Sequence, residues 1–269
     1  MNEKSYIENK ALFADWSKTA AGPLLEQTTY PWEILPLISA FILRLGETLP
    51  EEEYEKRSDN IWIARDAKVF DSAYIGGPCI IGHGTEVRHC AFIRENALIG
   101  AGCVVGNSTE LKNVILFDGV EVPHYNYVGD SILGYKAHMG AGSITSNIKA
   151  DRKDIVIRMN IPGQMQECED IQEAKAAECR FFENADKEIR MQDEAKEAAE
   201  SQETVYIETG MQKIGAILGD YVEIGCGTVL NPGSIIGQQT NIYPLNSVRG
   251  VIPAKSICKS ADCIIPKIV

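Results

Sequence analysis

Positive charge is scarce in this chain. Its 269 residues hold 26 Lys and Arg against 38 Asp and Glu, a net charge of −12. Binders of nucleic acid or of anionic membranes need a basic face, so neither is expected as a partner. Long apolar runs are also missing. The richest stretch, Ile34 to Leu45, falls short of the roughly 20 residues of a membrane span and contains Arg44. No apolar segment follows Met1-Asn-Glu-Lys, so no secretory signal is expected. Cysteine is sparse: eight residues are too dilute for a disulfide scaffold, and no CxxC pair suggests zinc. Reduced thiols and a cytoplasmic location are the expectation.

What the chain does have is a period. Stepping by six from Ile63 gives Val69, Ile75, Ile81, Val87, Ile93, Ile99, Val105 and Leu111, all aliphatic. Four residues after the first eight of these come Ala67, Ala73, Cys79, Thr85, Ala91, Ala97, Cys103 and Thr109, all small. Glycine often follows the aliphatic residue, as at Gly76, Gly82, Gly100 and Gly106. Positions i and i+4 share parity, so both face one side of a short strand. One large and one small residue per strand fills a narrow interior, and Gly, Asn and Asp serve tight corners. Such a segment buries its apolar face only by stacking on copies of itself, which predicts a parallel β-helix.

The pattern continues through Leu116, Val122 and Val128, slips by one residue to Leu133, Met139 and Thr145, and stops near Asn147. It resumes at Leu218, Ile224, Leu230, Ile236, Ile242 and Val248. This reads as about eighteen hexads, or about six triangular coils. The β-helix is assigned to residues 59–153 and 213–258, with a tail at 259–269. Residues 1–58, with Trp16, Trp32 and Ile34-Leu35-Pro36-Leu37-Ile38, read as a partly helical cap over the first coil. Residues 154–212 read as an excursion. Asp154–Met159 and Val205–Glu208 form its hairpin strands, and 167–203 forms an acidic helical tip that holds −8 of the −12 charges.

Stacking also brings distant residues together. Arg94 and Lys112 are 18 apart, one coil, and each follows an inward residue. They are expected one above the other, about 4.7–4.9 Å apart, a pair of cations suited to a phosphate. His124 and Tyr127 approach the same vertical edge. Histidine beside a phosphate clamp is a candidate general base, since imidazole ordinarily titrates near neutrality.

The segments His124-Tyr-Asn-Tyr-Val-Gly-Asp-Ser-Ile-Leu-Gly and Met139-Gly-Ala-Gly-Ser-Ile-Thr-Ser-Asn147 carry a resemblance. They are similar to the acetyltransferase domain of the bifunctional sugar-1-phosphate nucleotidylyltransferase/glucosamine-1-phosphate acetyltransferases. The archaeal-type branch also shares an aliphatic residue after Asn147 and the segment Lys213-Ile-Gly-Ala-Ile-Leu-Gly-Asp220. The resemblance covers about residues 60–165 and 204–258. It implies a left-handed β-helix, a homotrimer with active sites between subunits, an amino-sugar 1-phosphate as acceptor, and acetyl-CoA as co-substrate without a required metal. It further implies Arg94, Lys112 and Lys213 as phosphate- and sugar-binding cations, with Lys153 a competing match for the third. His124 then falls on the catalytic base, Tyr127 and Asn147 on sugar contacts, and Ala141 on the backbone N–H that meets the thioester carbonyl. His138 stands where the family usually has a sugar-binding asparagine, and Cys226 and Pro244 replace small residues of its coenzyme A groove. Residues 1–58 are too short for a nucleotide-binding domain, so pyrophosphorylase activity is not expected of this chain. One alternative is a non-catalytic β-helix that binds sugar phosphates or nucleotide sugars beside a separate nucleotidyltransferase. Another, a metal enzyme like γ-carbonic anhydrase, needs three converging histidines. His83 and His89 lie on a different coil from His124 and His138.

Overall fold

The computed structural model describes residues 3–160, 204–261 and 263–267. The hexapeptide repeat winds as a parallel β-helix with three walls. On the first wall the inward residues stack as Ile63, Ile81, Ile99, Leu116, Leu133, Leu218, Ile236 and Ile252. On the second they run Val69, Val87, Val105, Val122, Met139, Ile224, Ile242 and Cys258. On the third they run Ile75, Ile93, Leu111, Val128, Thr145, Leu230 and Val248. Two walls thus carry eight rungs and one carries seven, more than the six coils expected. The series read from the sequence itself holds twenty-one inward positions, seven coils and not six, with five-residue steps at Leu111→Leu116 and Val128→Leu133. It passes over the last rungs, Ile252 and Cys258.

The small residues at i+4 line the inner corners. Cys79, Ala91, Ala97 and Cys103 are buried, and the buried hydroxyls of Thr85 and Thr109 donate to the carbonyls of Gly100 and Val122. Burial pushes the Cys79 and Cys103 thiols up to about 12 and that of Cys258 up to about 11. These three are free, as are the exposed Cys90 and Cys226. Cys263 is disulfide-bonded, which corrects the expectation of thiols throughout.

The N-terminal segment is partly helical, but it does not close the end of the coil. It lies along the outside of the first wall. There Trp62, Ile80, Leu98, Ile115, Ile132, Ile217 and Ile235 all point outward and are all buried. The helix Ile38–Gly46 sets Ile38, Phe41 and Ile42 against them, with Gly46 closely packed on the Trp62 ring. Phe13 meets Phe117 at 4.8 Å between ring centroids. Hydrogen bonds fix the segment to successive coils. Asn113 Nδ2 donates to the Leu35 carbonyl, the Asp118 N–H to that of Lys18, and Gln238 Nε2 to that of Ala11. Asp220, buried and with its carboxyl pushed up by desolvation, accepts from the N–H groups of Ala14 and Tyr135. Each outward aliphatic side chain covered in this way contributes about 1.5–3 kcal/mol.

Each end of the coil is covered on one wall by an antiparallel strand. Tyr54–Ser58 pairs antiparallel with the first-wall strand Ile61–Ala64. At the far end Cys263–Pro266, within the expected tail, pairs antiparallel with Ser256–Ser260 on the second wall. The excursion begins and ends as a hairpin, Val156–Asn160 against Thr204–Glu208. The expected acidic helix at 167–203 lies outside the described residues. Among those described, no helix is long and apolar enough to cross a membrane.

Candidate active site

The corner between the second and third walls sets one residue of each coil into a column. The N–H of Gly142 donates to the His124 carbonyl at 3.0 Å, that of Gly227 to the Ala141 carbonyl at 2.8 Å, and that of Leu245 to the Cys226 carbonyl at 2.9 Å. His124, Ala141, Cys226 and Pro244, chosen from widely separated parts of the sequence, therefore stand in one file. All four are exposed. The corner at His124 is stapled by a residue that sequence reasoning passed over. Buried Asn126 accepts from the His124 N–H at 3.0 Å and donates to the carbonyls of Gly140 and Ser143 at 2.9 and 3.1 Å. The imidazole of His124 makes no hydrogen bond with the described residues and projects to solvent. The N–H of Ala141 likewise has no acceptor among them, so it is available to a ligand. Pro244 has no N–H to offer.

Past this corner the third wall carries Arg94, Lys112 and Tyr127, but the cations are not stacked as expected. Ile93 pairs with Leu111, and then Glu95 pairs with Lys112, which leaves Arg94 as the extra residue of a bulge. The cause is the step length. A six-residue hexad lies against a five-residue one, and one residue must be left unpaired. Each cation then takes its own carboxylate. Arg94 Nη1 lies 2.9 Å from Glu110 Oε1, and Lys112 Nζ lies 3.4 Å from Asp130 Oδ1.

Asp130 organises this wall. It is buried, with a left-handed φ of +48°, at the corner leading to the first wall. It accepts from Asn113 Nδ2 at 3.0 Å and from Asn147 Nδ2 at 2.5 Å, besides its contact with Lys112. Asn147 also hydrogen-bonds the Tyr127 hydroxyl, whose pKa is raised by burial first and by Asp130 and Glu110 next. Gly129 makes this possible, since a Cβ there would sit 2.5 Å from the Tyr127 oxygen. Asp130→Asn keeps the size and tolerates the left-handed backbone. It should still cost about 1.5–3 kcal/mol, because it removes the charge that several donors address. Urea unfolding of the variant measures this.

Lys213 reaches the edge of the cluster through its backbone. It bridges Ile148, and the Ile214 N–H donates to the Asn147 carbonyl at 3.2 Å. Its competitor Lys153 lies on an exposed turn whose N–H donates to Asp151. His138 is not brought into the cluster. It projects from the second wall, with Nδ1 2.9 Å from Glu223 Oε2. Among the described residues no three His, Cys, Asp or Glu side chains converge as a metal site. His83 is engaged by Asp66 and Glu53.

A hexapeptide β-helix with an exposed histidine and a free corner N–H defines a class, and comparisons narrow it. Residues 75–162 match the family model of the GMPPB C-terminal domain. The chain is 25% identical over 220 residues to the bifunctional sugar-1-phosphate nucleotidylyltransferase/acetyltransferase of Sulfurisphaera tokodaii, covering 80% of this chain and 43% of that protein. It is 36% identical over 110 residues to the bifunctional protein GlmU of Methanococcus aeolicus, covering 34% of this chain and 27% of the relative. The resemblance read from His124 to Asn147 is thus a similarity across most of the molecule, although the chain spans less than half the length of these relatives. Among solved structures, the acetyltransferase domain of PglB from Neisseria gonorrhoeae in complex with acetyl coenzyme A is 14% identical with a TM-score of 0.30. That match covers 77% of this chain and 57% of the PglB chain.

Proposed function

We propose that this protein is a hexapeptide-repeat acyltransferase that acetylates the amine of an amino-sugar 1-phosphate such as glucosamine 1-phosphate, with acetyl-CoA as donor. The observation that carries this reading is the corner file. It offers an unengaged imidazole at His124 one coil below an unengaged N–H at Ala141.

In this mechanism the sugar phosphate lies along the third wall. Arg94, Lys112 and Lys213 supply positive charge to the phosphate, which takes over from Glu110 and Asp130 as their anionic partner. Tyr127 and Asn147 hold the sugar. His124 accepts a proton from the amine as its nitrogen bonds to the thioester carbonyl. The Ala141 N–H donates to the oxygen that gains charge. As the intermediate collapses the carbon–sulfur bond breaks, and the thiolate leaves with a proton returned to it. Cys226 and Pro244 continue the file upward as the groove for the donor's pantetheine arm. His138, on the second wall, reaches such a site only from a second copy, which fits a homotrimer with sites between subunits.

A thiol-release assay with acetyl-CoA tests the reading. Coenzyme A should appear with glucosamine 1-phosphate or galactosamine 1-phosphate, and the unphosphorylated sugar should be at least tenfold poorer at equal concentration. No release with either phosphate, at any protein concentration that binds them, would leave only a binding function.

A further inference from the structure

A cavity of about 700 Å³ opens between the hairpin and the last rungs of the third wall. In a chain of net charge −12 its rim is basic, with Lys149, Arg158 and Arg249 set against Asp151 alone among the described residues. Lys149 is engaged by Asp151 at 3.5 Å and by the Asp154 carbonyl at 3.3 Å. The arginines are not so held. Arg249 makes one long contact of 3.5 Å to Asn231 Oδ1, and Arg158 has no ion pair among the described residues. Arg158 is also the direct cross-strand partner of Tyr206, whose ring is 64% exposed and faces the same cavity.

The hairpin is seated firmly enough to hold this geometry. Its other face, Ile155, Ile157, Met159 and Ile207, is buried. At Gly250, where φ is +77°, the backbone packs so close to the Arg158 carbonyl that a Cβ would lie 2.5 Å from it. Val156 and Ile148 add apolar lining beside the tyrosine.

We propose that this cavity binds a nucleoside diphosphate group. The volume suits a ligand of that size and exceeds what a lone phosphate needs. Two guanidinium forks without carboxylate partners among the described residues match a diphosphate. An exposed tyrosine ring beside one of them offers a stacking surface for a base. The site is built on the hairpin and the last rungs, apart from the His124 file, and the inference does not rest on acetyl transfer.

Isothermal titration of the full chain with UDP, uridine and pyrophosphate tests it. UDP should bind more tightly than pyrophosphate, and uridine should bind weakest. Arg158→Ala combined with Arg249→Ala should weaken both UDP and pyrophosphate at least tenfold. Tyr206→Ala should weaken UDP about tenfold and leave pyrophosphate within about twofold, as loss of one stacking contact predicts. His124→Ala should change none of these. All four substitutions are at exposed side chains, and circular dichroism checks that the fold is kept. The proposal is overturned by absence of UDP binding or by equal affinity for UDP and pyrophosphate. It is equally overturned if UDP affinity is indifferent to Tyr206 and the arginine pair, or is lost with His124.

Discussion

Replacing His124 with alanine is expected to lower acetyl transfer by about 10²–10⁴-fold while leaving the thermal transition within a degree or two of the parent. The two halves of this expectation come from the same geometry. The ring carries no hydrogen bond to the described residues, so its loss removes nothing that holds the fold. The corner itself is kept by the backbone, through the His124 N–H to Asn126 and the Gly142 N–H to the His124 carbonyl. Acetyl-CoA binding, measured by titration, should therefore be unaffected. Asn126→Ala provides the contrast. It should impair turnover together with stability, because it unpins the corner and orphans buried backbone groups. Transfer that persisted at the parent rate in His124→Ala would remove the imidazole from the mechanism.

The second large effect is on stability and concerns the covered wall. Ile38→Asp should destabilise the protein by about 3–5 kcal/mol and lower its melting temperature by about 10 °C. Ile38 is fully buried against the row of aliphatic side chains on the first wall. A carboxylate there either stays unpaired in an apolar seam or levers the helix Ile38–Gly46 away from the coil. The second outcome bares Ile80, Leu98 and Ile115 and should be seen as binding of a hydrophobic dye below the transition. Leu37→Asp is the control. That side chain is 40% exposed, and its replacement should cost well under 1 kcal/mol. An Ile38→Asp protein as stable as the control would mean that the segment does not hold this wall.

Much of this architecture was legible in the residues. The six-residue period fixes which side chains face inward, and stacking brings Arg94, Lys112 and Tyr127 to one wall. The signal for the covered wall was also present. Ile80-Ile81, Leu98-Ile99, Ile115-Leu116, Ile132-Leu133, Ile217-Leu218 and Ile235-Ile236 are adjacent aliphatic pairs that recur once per coil. A strand with one solvated face alternates, as Glu86-Val87 and Glu121-Val122 do on the second wall, whereas a strand buried on both faces does not. Reading every sixth position alone passes over that difference, and the N-terminal segment is then assigned to an end instead of a side.

The register at Arg94 was harder to read. It depends on a five-residue hexad one coil away, and a single-residue difference decides whether two cations stack or each meets its own carboxylate. Asp130 was hidden for a related reason. It carries a motif letter in sequence, but its role comes from Lys112, Asn113 and Asn147, which converge on it only after two coils and a corner have formed.

The antiparallel strands that finish the coil at Tyr54–Ser58 and Cys263–Pro266 bear on how the molecule can associate. A solenoid of parallel rungs is its own template, and a bare terminal rung invites the next molecule to extend it without limit. Here each end carries, on one of its three walls, a strand of reversed polarity on which a parallel rung has no matching register. Fibre growth along the axis is thereby discouraged. The first wall, moreover, is already occupied by the chain's own N-terminal segment, which leaves no room for another molecule to lie against that flank.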